Sequence, residues 1–147
     1  MARTDASADP RPVLVTGGAG GIGAATAARF LREGACVMLA DIDAAALNTA
    51  QDGLAGQFGR DMVRSVQMNV TDEAQVVRAY AEMAVEFGGI DILVSNAGIA
   101  SSAPIEDTSL ALWNRNMDIL STGYFLVSRE GFGMLRTQGI GGAVVFV

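Results

Sequence analysis

Apolar runs and helix-period segments alternate along this chain with a regular beat. Pro12–Thr16 (PVLVT) is a short apolar run ending in glycines, which suits a buried strand. Residues 21–33 place Ile22, Ala25, Ala28 and Phe30 among good helix formers, and Gly34 sits where a helix terminates. Residues 35–40 form a second apolar run closed by Asp41, and Asp43 can cap a helix running through Leu47 to about Phe58. Residues 62–68 predict a third strand, with weaker alternation. Thr71-Asp-Glu-Ala opens a helix to about Phe87, its acids in the first turn where the dipole favours them. A fourth strand over 90–94 is followed by a loop over 96–104. A long helical stretch over 109–137 carries Leu110, Trp113, Met117, Leu120, Tyr124, Val127 and Leu135, and a fifth apolar run closes the chain over 143–147. Continuous apolar strands between helices argue an α/β fold, a doubly wound parallel sheet of five strands with helices on both faces. Gly131 and Gly133 fit poorly inside the long helix, each costing about 1 kcal/mol against Ala.

Composition narrows the function classes. The 147 residues are 50% hydrophobic and 18% charged, which excludes a disordered chain and allows one domain with a sizeable core. Ten basic against sixteen acidic residues leave a net charge of −6, so no nucleic-acid partner is expected. All the basic residues are Arg; Lys and His are absent, and Cys36 is the only cysteine. A metal site is therefore not expected, Cys36 reads as core, and the chain suits the reducing cytoplasm. Residues 1–12 are polar, small and broken by Pro10 and Pro12, as in a flexible leader or linker, with the domain over 13–147. The longest uncharged stretch is too short and polar to span a bilayer, so no membrane partner is expected.

The candidate chemistry lies between the first strand and first helix, at Thr16-Gly-Gly-Ala-Gly-Gly-Ile-Gly23. Glycines there allow a tight turn and a close approach of backbone to a pyrophosphate, which the helix N-terminus then meets with free N–H groups and its positive dipole end. Glycines also make plain turns, but the strand before, the helix after and Asp41 at the next strand tip fit a dinucleotide site. A carboxylate at that tip accepts hydrogen bonds from both ribose hydroxyls and repels a 2′-phosphate. No Arg follows Asp41 or lies in the glycine loop, so the expected cofactor is NAD and not NADP. Asp41 can alternatively cap the following turn, a role open to Asp43 as well.

Thr16-Gly17-x-x-x-Gly21-Ile22-Gly23 resembles the cofactor loop of the short-chain dehydrogenases. Asn69-Val70-Thr71-Asp72, Ser95-Asn96-Ala97-Gly98 and Trp113 followed by Gly123-Tyr124-Phe125 match further motifs of that family in the right order. The resemblance covers the chain from residue 12 and implies a Rossmann-type sheet. It implies cofactor contacts from Gly17, Gly18, Gly20, Gly21, Ile22, Gly23, Asp41 and Ile42. It also implies that Asn69, usually Asp, meets the adenine amine, that the Val70 backbone faces the adenine ring, and that Asn96, Ala97 and Gly98 line the adenosine ribose and brace the sheet. Two positions depart from the pattern: Ser95 replaces the usual first Asn of its motif, and Leu120 stands where the family holds a catalytic-site Asn. Asn116, one turn earlier on the same helical face, is a candidate for that pocket, with an ordinary exposed helical Asn as the alternative.

The segments 112–130 and 138–142 are similar, more narrowly, to the dehydrogenase domain of bifunctional rhamnulose-1-phosphate aldolase/lactaldehyde dehydrogenases. The family transfers hydride with a Ser and a Tyr-x-x-x-Lys pair that follow the fifth strand, where this sequence stops. The expectation is an incomplete domain, truncated after that strand: the NAD-binding part of an oxidoreductase acting on a small alcohol or aldehyde. A stand-alone, non-catalytic dinucleotide-binding or interaction module is the alternative. An exposed fifth strand and an uncovered helix face favour a homo-oligomer.

Overall fold

The computed structural model describes residues 10–147. The expected leader falls, for residues 1–9, outside the described residues. Strands β1 (Pro12–Thr16), β2 (Cys36–Asp41), β3 (Val63–Gln67), β4 (Ile92–Ser95) and β5 (Ala143–Phe146) form one sheet in the order β3-β2-β1-β4-β5. All four pairings are parallel. Helices α1 (Gly21–Arg32), α2 (Ala44–Phe58), α3 (Glu73–Phe87), α4 (Leu110–Met117) and α5 (Tyr124–Gln138) connect them. The five-stranded, doubly wound Rossmann-type fold is as expected. Pro12 already belongs to β1, and the Arg11 carbonyl accepts from Cys36 N at 3.1 Å, so the sheet begins slightly before residue 13.

The pleat of β1 sorts the core into two layers. Val13 and Val15 join Val37, Leu39 and Val63 beneath Ala27 and Leu31 of α1 and Leu47 and Leu54 of α2. Leu14, with Met38 and Leu93, packs against Val76, Tyr80 and Met83 of α3 and Val127 and Leu135 of α5. Helices on both faces explain why β1 and β2 read as unbroken apolar runs: each side chain has a buried face waiting for it. The strand order reverses direction between β1 and β4, and the crevice at such a switch point is where open α/β sheets hold ligands.

Helix caps follow the sequence closely. Asp43 Oδ1 accepts from Ala45 N and Ala46 N, each at 3.0 Å, and Asp72 Oδ1 accepts from Gln75 N at 3.1 Å. The long helix does not run unbroken. Residues Asp118–Gly123 form a π-helical turn between α4 and α5, a feature usually confined to single turns within helices. Tertiary contact accounts for its place, because a Cβ on Gly123 would lie 2.7 Å from Val70 Cγ2. Gly131 has an equally local reason to interrupt helix propensity: Tyr80 Oη would stand 2.9 Å from its Cβ, and that hydroxyl donates to the Val127 carbonyl at 2.7 Å. Nothing in the structure explains Gly133.

Candidate functional site

The β1–α1 corner is built by close backbone approach. Gly17 turns the chain out of β1 with φ +64°, a left-handed conformation that glycine adopts without cost. Gly23 brings α1 against that turn so tightly that a Cβ would lie 2.1 Å from the Gly17 carbonyl oxygen. Gly20 caps α1 without a side chain, and the first turn holds no acid. Gly20 N is bonded to Gly17 O, and Ala24 N to Gly20 O, which leaves the N–H groups of Gly21, Ile22 and Gly23 without an acceptor among the described residues. A Cβ on Gly21 would meet nothing within 4 Å. Three free donors at a positive helix end, with open space before them, make an anion site.

A cleft of about 490 Å³ opens from this corner across the switch point. Gly17, Gly20, Gly21, Ile22, Gly23, Asp41, Ile42, Asn69, Val70, Asn96, Ala97 and Gly98 all line it. Gly18 does not. Its N–H donates to Ala40 O at 3.0 Å, and a Cβ would stand 3.0 Å from Leu39 Cβ, so it is a packing glycine against β2. Ala40, Met68, Ile99 and Ile119 also line the cleft without having been singled out. Met68 was foreseeable as the neighbour of Asn69; Ile119 was not, since its direction depends on the π-helical turn. Ile22 and Ile42 remain 64% and 62% exposed, leaving two large aliphatic side chains ready to cover a flat ring.

Asp41 is shared between the loop and its own strand end. Oδ2 accepts from Ala19 N at 3.1 Å and Oδ1 from Asp43 N at 3.1 Å. It therefore fixes the glycine loop, while Asp43 is the helix cap. No arginine lines the cleft. Asn96 braces the other wall: Nδ2 donates to Thr16 O at 3.0 Å and Gly17 O at 3.3 Å, and its N–H donates to Thr16 Oγ1 at 3.0 Å. Beside it the Ser95 hydroxyl is buried without a partner among the described residues. Asn69 Oδ1 accepts from both Thr71 N at 3.0 Å and Thr71 Oγ1 at 2.9 Å.

Asn116 does not enter the cleft. Its Nδ2 donates to Leu112 O and to Ser101 Oγ, both at 2.7 Å, and its Oδ1 accepts from Ser101 Oγ, tying the loop after β4 to α4. A regular helix would align it with Leu120, but Leu120 lies inside the π-helical turn, which breaks that alignment. Leu120 instead lies against Gly98, its Cδ2 3.2 Å from where a Cβ would be. Neither tyrosine reaches the cleft. Tyr80 is held neutral by burial, and the nearby Glu130 charge adds to this, so its pKa is pushed far above the ordinary phenol value. Tyr124 donates its hydroxyl to the Val147 carbonyl. No group of three or more metal-ligating side chains occurs among the described residues, and no helix there is long and apolar enough to cross a membrane.

Relatives support the same reading of the fold. The chain is 43% identical over 147 residues to an uncharacterized oxidoreductase, YuxG, of Bacillus subtilis (strain 168), covering 100% of this chain and 21% of that protein. It is 39% identical over 139 residues to D-threitol dehydrogenase of Mycolicibacterium smegmatis, covering 93% of this chain and 52% of the relative. A short-chain type dehydrogenase/reductase from Mycobacterium marinum superposes with a TM-score of 0.89 at 33% identity, over 94% of this chain and 55% of that one. The chain thus spans about half the length of the latter two, and much less of the first. Residues 11–147 match the model of the short chain dehydrogenase family, and the chain belongs to that family.

Proposed function

We propose that this chain is the NAD-binding part of a short-chain dehydrogenase that oxidises or reduces a small alcohol or aldehyde. The carrying observation is the pairing across one cleft of three unpaired N–H groups at α1 with the Asp41 carboxylate at the tip of β2. The N–H groups of Gly21, Ile22 and Gly23 would hold a pyrophosphate, and Asp41 would accept from the adenosine ribose. Asn96 holds the cleft wall, and Ile22 and Ile42 exclude water from the adenosine. When bound, the nicotinamide supplies the hydride acceptor or donor. NAD is favoured over NADP because a 2′-phosphate at Asp41 would meet a carboxylate with no lining arginine to offset it.

Lactaldehyde is our substrate assignment, from the likeness of residues 112–130 to aldolase–lactaldehyde dehydrogenase fusions. The length of the Bacillus relative supports it. If 147 residues are 21% of that chain, it runs to about 700 residues, well beyond the D-threitol enzyme, of which 139 residues are already 52%. We place the protein in the cytoplasm, where the buried Cys36, the single cysteine of the chain, stays reduced. We also infer self-association through the exposed Trp113, Phe125 and Phe146.

The test is calorimetric titration of the chain with NAD and NADP. NAD binds and NADP does not compete measurably. Asp41→Asn removes the charge and keeps only one of the two main-chain hydrogen bonds, since an amide has a single accepting oxygen, and it weakens NAD by about tenfold while narrowing the gap to NADP. Preference of the unaltered chain for NADP overturns the cofactor assignment.

A further inference from the structure

Asn69 and Val70, adjacent in the cleft lining, each present a hydrogen-bond donor that has no partner among the described residues. Asn69 lines the cleft, yet its side-chain oxygen is spent on Thr71, accepting from the main-chain N–H at 3.0 Å and from Oγ1 at 2.9 Å. A carbonyl oxygen has two lone pairs, and both are used. The amide cannot be turned over, because the Thr71 N–H only donates and would then face the Asn69 NH2 group. Nδ2 is the half of the amide left over, and it has no partner among the described residues. The neighbouring Val70 N–H is likewise without an acceptor among them. Val70 lines the same cleft.

Adenine shows such a surface one acceptor, N1, beside a 6-amino group that can only donate. Hypoxanthine shows a 6-oxo group that accepts, beside an N1–H that can only donate, so each base offers these donors one accepting atom. We propose that Asn69 and Val70 read the purine with donors alone, which do not tell the two bases apart, so that the site takes a 6-oxopurine dinucleotide, nicotinamide hypoxanthine dinucleotide, about as well as NAD. The proposal rests on the NAD reading above, with Asn69 as its specificity-determining residue. An aspartate in its place would behave differently. One carboxylate oxygen would hold Thr71 and the other would accept from the 6-amino group while repelling a 6-oxo group.

The experiment is parallel calorimetry of the unaltered chain with NAD and with nicotinamide hypoxanthine dinucleotide. The expected result is equal affinity within about twofold. Asn69→Asp is expected to prefer NAD by about tenfold. Thr71→Val, which frees one lone pair on Asn69, should move the ratio part of the way in the same direction. A tenfold preference of the unaltered chain for NAD overturns the donor-only reading and leaves the cofactor assignment standing. Failure of both dinucleotides to bind removes the cofactor assignment, and this proposal with it.

Discussion

The centre of the sheet and its β5 edge have the same parallel ladder and opposite cover. In β1 every residue is buried, with α1 and α2 on one face and α3 and α5 on the other. In β5, Val145 and Phe146 are 46% and 55% exposed, and Val147 beyond them is 56% exposed. The pairing Val94↔Val145 continues the β1–β4 register, so backbone geometry alone does not separate the two regions. What separates them is packing. The glycine loop, Asp41 and Asn96 all hang from the tips of strands fixed on both faces, so the binding corner has a rigid base. The β5 side offers hydrogen-bonded backbone and little buried surface.

The largest expected effect follows from where the titratable groups stand. A hydride leaves an alcohol only as the hydroxyl proton is accepted, and the cleft lining holds one ionisable side chain, Asp41, already bonded to two N–H groups. The chain has no Lys or His, Tyr80 is buried and locked neutral, and Tyr124 is engaged at Val147. The 147 residues alone should therefore bind NAD yet show no NAD-linked oxidation of lactaldehyde or simple alcohols. The missing acid–base group is worth roughly 10²–10⁴-fold in rate, and positioning of the substrate is lost in addition. Absorbance at the NADH band, with host dehydrogenase excluded, reads this directly. Turnover by the purified chain would place the chemistry inside the binding corner itself.

Stability should divide the two regions next. Leu14 is wholly buried between β1 and α3, and Leu14→Ala should cost about 3 kcal/mol in chemical denaturation. Val145→Ala removes methyl groups that are nearly half in water, and it should cost under about 1 kcal/mol. Equal losses would show that β5 is covered in solution, for instance by a second copy.

What the sequence discloses, and what it conceals, falls along the same division. The glycine loop, the Asp43 cap and Asp41 are legible because each is local: a turn, a first helical turn, a strand tip. Gly18 and Gly21 look alike in the sequence, but only the structure shows the first packed against Leu39 and the second facing open space. The π-helical turn is invisible in the spacing of apolar residues, since the Val70–Gly123 contact that places it joins distant parts of the chain. For that reason Asn116 could be put on the right helix but not on the right side of it. Asn69 lines the cleft, while the commitment of its oxygen to Thr71 is visible only once the turn after β3 is formed.

The smallest effect concerns Tyr80, which joins the two regions by reaching from α3 to the Val127 carbonyl of α5. Tyr80→Phe leaves the ring in place and strips the carbonyl of this donor, at a cost of about 1 kcal/mol near pH 7. The pH dependence supplies the sharper test. Burial first, and the Glu130 charge second, raise the folded-state pKa above the unfolded value near 10.0. The unfolded chain therefore loses this proton before the folded chain does. The stabilisation is complete below about pH 10 and declines above it, by up to about 1.4 kcal/mol per pH unit until the folded pKa is reached. Tyr80→Phe has no such proton, so the difference between the two proteins should close by roughly pH 11 and then change sign. Denaturation midpoints at pH 8, 10 and 11 measure it. A gap that stays constant across that range would mean that the phenol is reached by water, and that the α3–α5 seam is looser than the rest of the core.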